Sequence, residues 1–184
     1  MRICFLDIDG VMNSASWWKR RPPVPEGLSD SGDGAGNRDR WIRRNLDPEA
    51  IARLERIRRE TSCHVVLSSS WRAMVPLVVM TAYLRDLGGF QGMLIGATPE
   101  IEGGISGVAP SIKVVDRTPG LWVRGQEIQS WLDVLPAGVV TSYVVLDDDN
   151  VPGHDGRFVH TDFELGLTDD NADRAIEILR GRRG

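Results

Sequence analysis

An α/β fold built on a central, mainly parallel sheet is what this sequence predicts, and three observations predict it. Short apolar runs of strand length recur along the chain, at Ile3–Leu6, His64–Leu67, Gly92–Gly96, Thr141–Leu146 and Phe158–Thr161. Amphipathic helical stretches lie between most of them, and alternation of this kind implies right-handed parallel crossovers. Acids follow the first and fourth runs directly and serines follow the second. In a parallel sheet those residues meet at the carboxyl edge, where ligands bind. At 184 residues the chain is expected to form one domain with a substantial core.

The first strand, Ile3-Cys4-Phe5-Leu6, runs into Asp7-Ile8-Asp9-Gly10-Val11-Met12-Asn13. Residues i and i+2 of an extended chain point to the same side, so Asp7 and Asp9 are placed together. Paired carboxylates at a strand end call for a cation or a proton. Gly10 lets the backbone turn sharply and approach a ligand closely.

Residues 14–45 read as a long irregular insert, because Arg21-Pro22-Pro23-Val24-Pro25 and the Ser/Asp/Gly run 29–37 disfavour regular elements. The Gly-x-Gly at 32–34 is expected to be a flexible turn; no strand precedes it, so it is no dinucleotide fingerprint. Within the insert Trp17, Trp18 and Trp41 are interleaved with Lys19, Arg20, Arg21, Arg38, Arg40, Arg43 and Arg44. Such a pattern suits base stacking and phosphate binding. The plainer reading is a flap whose tryptophans pack on the core while its arginines stay solvated.

Asp47-Pro48-Glu49 opens a helix as N-cap, first position and first-turn acid, and Ile51, Leu54 and Ile57 give it an apolar face. After the second strand a helix is expected from about Met74 to Leu87, closed by Gly88-Gly89. Residues 97–120 are Gly/Pro-rich and carry no clear element. Gly125 to Leu135 is amphipathic, with Ile128, Trp131, Leu132 and Leu135 at helical spacing, and stops at Pro136-Ala137-Gly138. Ala172, Ala175, Ile176 and Leu179 mark a last helix before a basic tail, Arg180 to Arg183.

Several function classes are disfavoured. A net charge of −4 and a pI near 5.4 do not fit a protein that coats nucleic acid, although local basic patches remain open. The two cysteines, Cys4 and Cys63, sit in or beside apolar runs and read as buried hydrophobes. His64, His154 and His160 lack metal-ligand spacing and read as structural or surface groups. Neither a G-x-S-x-G elbow nor a P-loop is present, and neither acidic stretch matches a calcium loop. With no secretory leader and no apolar run of about 18 residues, a cytoplasmic location with no membrane partner is expected.

Ile3–Asn13 resembles the first motif of the haloacid dehalogenase (HAD) superfamily of phosphotransferases, hhhDxDGhhN with h apolar. Val65-Val66-Leu67-Ser68 is similar to its second motif and Val144-Val145-Leu146-Asp147-Asp148 to its fourth. The wording of Phe5–Val11, Leu67-Ser68-Ser69-Ser70-Trp71-Arg72 and Leu146–Asp149 is similar to that of small HAD phosphatase domains of polynucleotide end-healing and RNA repair proteins. The resemblance implies a Rossmann-like three-layer core, here with a short flap rather than a large cap domain.

It also implies roles. Asp7 would be the nucleophile that becomes an aspartyl-phosphate, and Asp9 the general acid/base of a phosphatase; dehalogenases lack an acid there. Mg²⁺ would be held by Asp7, Asp9 (through its carbonyl), Asp148 and, around them, Asp147. Ser68 would donate to a phosphoryl oxygen, with Ser69 as the alternative if the register slips by one. Gly10 and Arg72 would contact substrate; a surface charge is the plainer reading of Arg72. The third motif is normally a lysine, and Arg124 stands where that cation is expected. The implied activity is a Mg²⁺-dependent phosphomonoesterase acting on a phosphorylated substrate, a polynucleotide end or a nucleotide. The alternative is a catalytically weak HAD-fold module that binds phosphorylated nucleic acid or a protein partner, a reading favoured only by the arginine.

Overall fold

The computed structural model describes residues 1–24, 35–101 and 121–181. The expected turn at Gly32–Gly34, Lys113 and the end of the basic tail lie outside them. In chain order the elements are β1 (Arg2–Leu6), α1 (Ala15–Arg20), α2 (Ala35–Asn45), α3 (Pro48–Thr61), β2 (His64–Leu67), a 3₁₀ turn (Ser70–Ala73), α4 (Leu77–Gly88), β3 (Leu94–Ala97), α5 (Leu121–Asp133), β4 (Ser142–Asp147), β5 (Phe158–His160) and α6 (Asp169–Leu179).

The five strands form one sheet in the order β3-β2-β1-β4-β5. Every pairing is parallel, as a chain of strand–helix alternation requires. β1 lies at the centre and is apolar on both faces. Cys4 and Leu6 face a core with Ile51, Leu54, Ile57, Met80, Leu84, Ala175 and Ile176, which come from α3, α4 and α6. Ile3 and Phe5 face a smaller core with Ile128, Trp131 and Leu132 of α5. Phe5 meets the Trp131 ring edge-on, at a centroid separation of 5.4 Å. The result is three layers, with α5 alone on one side among these helices.

Local signals set the helix ends. Asp47 caps α3 by accepting from the Glu49 N–H at 2.9 Å, with Pro48 at the first position. Thr168 and Asn171 cap α6 reciprocally. α4 starts after Pro76 rather than at about Met74: Pro76 takes the extended N-cap position, and the Ser70–Ala73 turn fills the gap before it. α5 starts a turn earlier than its amphipathic stretch, so Arg124 lies within its first turn rather than ahead of it.

The insert at 14–45, expected to be irregular, contains two helices among its described residues. Tertiary contacts hold them where propensity did not announce them. The Trp17 indole donates to the Arg44 carbonyl at 3.0 Å, and Ile42 is buried in the main core. The Tyr83 hydroxyl on α4 donates to Asp39 of α2 at 2.7 Å. Arg20 pairs with Asp47, Arg43 with Asp39 and Asp86, and Lys19 with Glu164. Among the described residues no helix is long and apolar enough to cross a membrane.

Candidate active site

The strand register brings the site together. Leu6 is level with Leu67 and Leu146, and Leu67 with Ala97. The ladder continues one residue further: Asp7 N–H donates to Leu146 O, Ser68 N–H to Leu6 O and Thr98 N–H to Leu67 O, at 2.7–3.0 Å. Thr98, Ser68, Asp7 and Asp147 therefore stand in a row across four strand ends. Phe5, Val66 and Val145, two residues earlier on their strands, pack against α5, so period-two alternation turns Asp7, Ser68 and Asp147 to that same face. α5 meets them with Arg124.

Arg124 donates through Nη1 to Asp7 Oδ1 at 3.2 Å, and its Nε lies 3.8 Å from Asp147 Oδ2. Carboxylate oxygens of Asp7, Asp147 and Asp148 all lie within 4.8 Å of one another. Gly10 makes room for this approach: it has φ +65°, and a Cβ there would collide with the Asp148 side chain. Gly125 does the same for α5, since a Cβ there would strike the Pro152 carbonyl. Beside it His154 ties α5 to the loop after β4, donating through Nε2 to Gly125 O and accepting at Nδ1 from the Tyr143 hydroxyl, both at 3.0 Å.

The electrostatics are those of a crowded acid cluster. Burial raises the Asp7 carboxyl from 3.8 to about 6, against the opposing pull of Arg124 and hydrogen bonds from Ser69 and the Ile8 backbone. Burial first and Asp7 second push Asp147 to about 8, with Arg124 and the Asp149 N–H opposing. Asp148 is raised by burial and by the neighbouring Asp149 charge. Burial alone would lower the Arg124 guanidinium, but the charges of Asp7, Asp147 and Glu127 more than offset it and raise it.

Among the described residues three carboxylates thus face one guanidinium, a deficit that a divalent cation would neutralise. Asp147 Oδ2 is buried with no hydrogen-bond partner among the described residues. An all-oxygen donor set with one orphaned carboxylate oxygen fits a hard cation such as Mg²⁺.

The other expected site residues are placed as follows. Ser68 Oγ is buried next to Asp7 and has no hydrogen-bond partner among the described residues. Ser69 caps the 3₁₀ turn, its side chain accepting from the Trp71 N–H at 3.4 Å, and its hydroxyl also hydrogen-bonds Asp7. The Asp9 carboxylate is held outside the three-acid cluster, accepting from Asn13 Nδ2 at 2.8 Å and Trp71 Nε1 at 2.9 Å. The Gly10 N–H is taken by Asn13 Oδ1 at 2.9 Å and its carbonyl by the Thr161 hydroxyl at 2.9 Å. Arg72 donates to Glu127 Oε1 at 2.6 Å and to Ser69 O at 3.0 Å. It lines a cavity of about 240 Å³ beside Arg124, with Glu100, Glu127 and Asn150 among the other walls.

Thr98 and Trp71 were missed by sequence reasoning as site residues. Thr98 Oγ1 is buried at the end of β3 with no partner among the described residues, and the signal that found Ser68, a hydroxyl directly after a strand, would have found it. No spacing rule links Trp71 to Asp9, because the two are 62 residues apart and meet only through the sheet.

A family described as the HAD domain in Swiss Army Knife RNA repair proteins matches residues 3–172. The chain belongs to that family. No curated protein and no solved structure matches it significantly. As a HAD domain it joins a phosphatase-like hydrolase family that generally uses Mg²⁺, and the matched span includes the insert and every site residue named above.

Proposed function

We propose that this HAD domain is a Mg²⁺-dependent phosphomonoesterase that works through an aspartyl-phosphate on Asp7 and acts on phosphorylated nucleic-acid ends. The observation that carries the reading is the convergence of Asp7, Asp147 and Asp148 beside Arg124 at the carboxyl edge of the sheet. Asp7 attacks phosphorus, forming an acyl-phosphate bond as the ester P–O bond breaks, and Asp9 gives its proton to the leaving oxygen. Water then attacks the phosphoryl group, Asp9 takes back a proton, and inorganic phosphate leaves with Asp7 restored. Arg124 orients Asp7, while Ser68, with its unpartnered hydroxyl, is the donor for a phosphoryl oxygen. Asp7, Asp147 and Asp148 would hold Mg²⁺, which supplies positive charge against the carboxylates and the phosphoryl group.

Arg124 fills the role of the usual lysine by contact with Asp7, which speaks for a working site rather than a vestigial one. Arg124→Ala is expected to lower kcat/KM by about 10²-fold, and Arg124→Lys to recover part of that loss. Steady-state phosphate release on the two variants checks this.

The RNA repair context of the family supports a polynucleotide end as substrate. With 3′- and 5′-phosphorylated oligonucleotides and a small aryl phosphate at equal concentration, one oligonucleotide is expected to be preferred by about 10-fold or more, with kcat/KM falling as salt rises. Equal rates on all three, or a preference for the small ester, would reject the polynucleotide substrate. Retained oligonucleotide binding with no turnover of any ester would favour the binding-module alternative.

A further inference from the structure

Two stacked tryptophans, Trp71 on the turn after β2 and Trp41 from the insert, support the site in a way the proposed chemistry leaves unused. Trp71 follows Ser69 on the 3₁₀ turn after β2 and is only 2% exposed. Its backbone is fixed: its N–H donates to the Ser69 side chain, and its carbonyl accepts from the N–H groups of Met74 and Val75. Its indole lies stacked on that of Trp41 from α2, with centroids 5.3 Å apart and planes 21° from parallel. At the polar end of the ring, Nε1 donates to Asp9 Oδ2 at 2.9 Å.

Asp9 Oδ1 is held from the other side by Asn13 Nδ2, itself fixed because Asn13 Oδ1 accepts the Gly10 N–H. Both carboxylate oxygens are thus held by N–H donors from separate elements, the turn after β1 and the turn after β2. A carboxyl so held has little freedom to rotate. An acid that must deliver a proton to one leaving oxygen gains from that restriction, since a misplacement of about 1 Å can cost about 10²-fold in rate.

We infer that Trp71 is a positioning residue for the proton-transferring acid Asp9, and that Trp41 of the insert holds Trp71 in place. The inference rests on the reading of Asp9 as the acid. It gives α2 a part in the reaction without any contact to substrate: the helix packs a flat ring against the ring that aims the acid. Trp17, by contrast, spends its indole N–H on the Arg44 carbonyl inside the insert.

The test uses leaving groups. A nitrophenolate departs without help, whereas an alkoxide needs a proton, so kcat/KM for an alkyl phosphate depends on a correctly aimed acid and that for a nitrophenyl phosphate does not. Trp71→Phe keeps a ring in the stack and deletes the donor. It is expected to lower kcat/KM for the alkyl ester by about 10-fold more than for the aryl ester, and Trp41→Leu to act in the same direction by less. An equal loss on both esters, or no loss, overturns the positioning role. If wild type hydrolyses neither these esters nor a 3′- or 5′-phosphorylated oligonucleotide, the assignment of Asp9 as acid falls and the positioning role falls with it. If it takes only the oligonucleotide, whose leaving group is also an alkoxide, Trp71→Phe is expected to lower kcat/KM on it by about 10-fold, and no loss overturns the role.

A second measurement reads the contact independently of turnover. The chain has six tryptophans, so ¹⁵N-tryptophan labelling gives six indole N–H signals. The signal absent in Trp71→Phe should shift in Asp9→Ala, while those remote from the site stay in place and report an intact fold. A Trp71 signal unmoved by Asp9→Ala overturns the contact, and with it the inference.

Discussion

With divalent cations chelated, the protein is expected to lose thermal stability as pH rises from about 5 to about 8.5, and Mg²⁺ is expected to restore it most at the alkaline end. The cause is the acid cluster. Asp7 and Asp147 ionise in the folded protein at about 6 and about 8, well above their ordinary value of 3.8. Between about pH 4 and pH 8 the folded state therefore holds protons that the unfolded chain has released. Stability falls with pH wherever the folded state binds more protons, so this contribution is complete below the ordinary carboxylate value and gone above the folded values.

The raised pair together accounts for a loss on the order of a few kcal/mol, which for a domain of this size is about 10 °C in Tm. A cation held by the ionised cluster reverses the loss by mass action, and it competes with protons, so its effect grows with pH. Asp147→Asn removes one charge from the cluster and is expected to flatten the decline and weaken the Mg²⁺ effect. Melting curves at pH 5, 6.5 and 8.5, with chelator and with Mg²⁺, for wild type and Asp147→Asn, check this. A wild-type Tm that is flat across this range, or that rises, would contradict the electrostatics described for the cluster.

Much of the sheet was legible because its signal is local and strong. Ile3–Leu6 is an apolar run ended by acids, and Leu67-Ser68 and Leu146-Asp147 repeat the pattern of a buried strand that stops at a polar residue. Once the strands are parallel and in register, Asp7, Ser68 and Asp147 have to be neighbours, which is why the core of the site could be named from the chain alone. Parallel pairing turns position along a strand into position in space.

What was not legible depends on contacts between distant segments. α2 carries four arginines and begins at Ala35-Gly36, a poor advertisement for a helix. It forms where Ile42 is buried, Trp41 stacks on Trp71 and Asp39 meets Tyr83, none of which a window of sequence contains. The partners of Arg72 are likewise set by context, because Glu127 on α5 and the Ser69 carbonyl accept from its terminal nitrogens. The Asp9–Trp71 hydrogen bond belongs to the same class. Periodicity reads faces of elements; it does not read which side chains two elements bring together.

The central claim is that Asp7 is a nucleophile in a metal-dependent phosphatase, and its removal should have the largest effect of any substitution. Asn at this position has nearly the shape of Asp and can still accept from Arg124, so the cluster should fold, relieved of one charge. It is a far poorer nucleophile, so turnover should fall by about 10³-fold or more. The deciding measurement is release of inorganic phosphate from an aryl phosphate by wild type and Asp7→Asn, each with Mg²⁺ and with chelator. The account predicts release by wild type with Mg²⁺ alone, and essentially none from the other three combinations. Release by Asp7→Asn at the wild-type rate would contradict it. So would a folded, Mg²⁺-supplied wild type that frees phosphate neither from the aryl ester nor from 3′- or 5′-phosphorylated oligonucleotides.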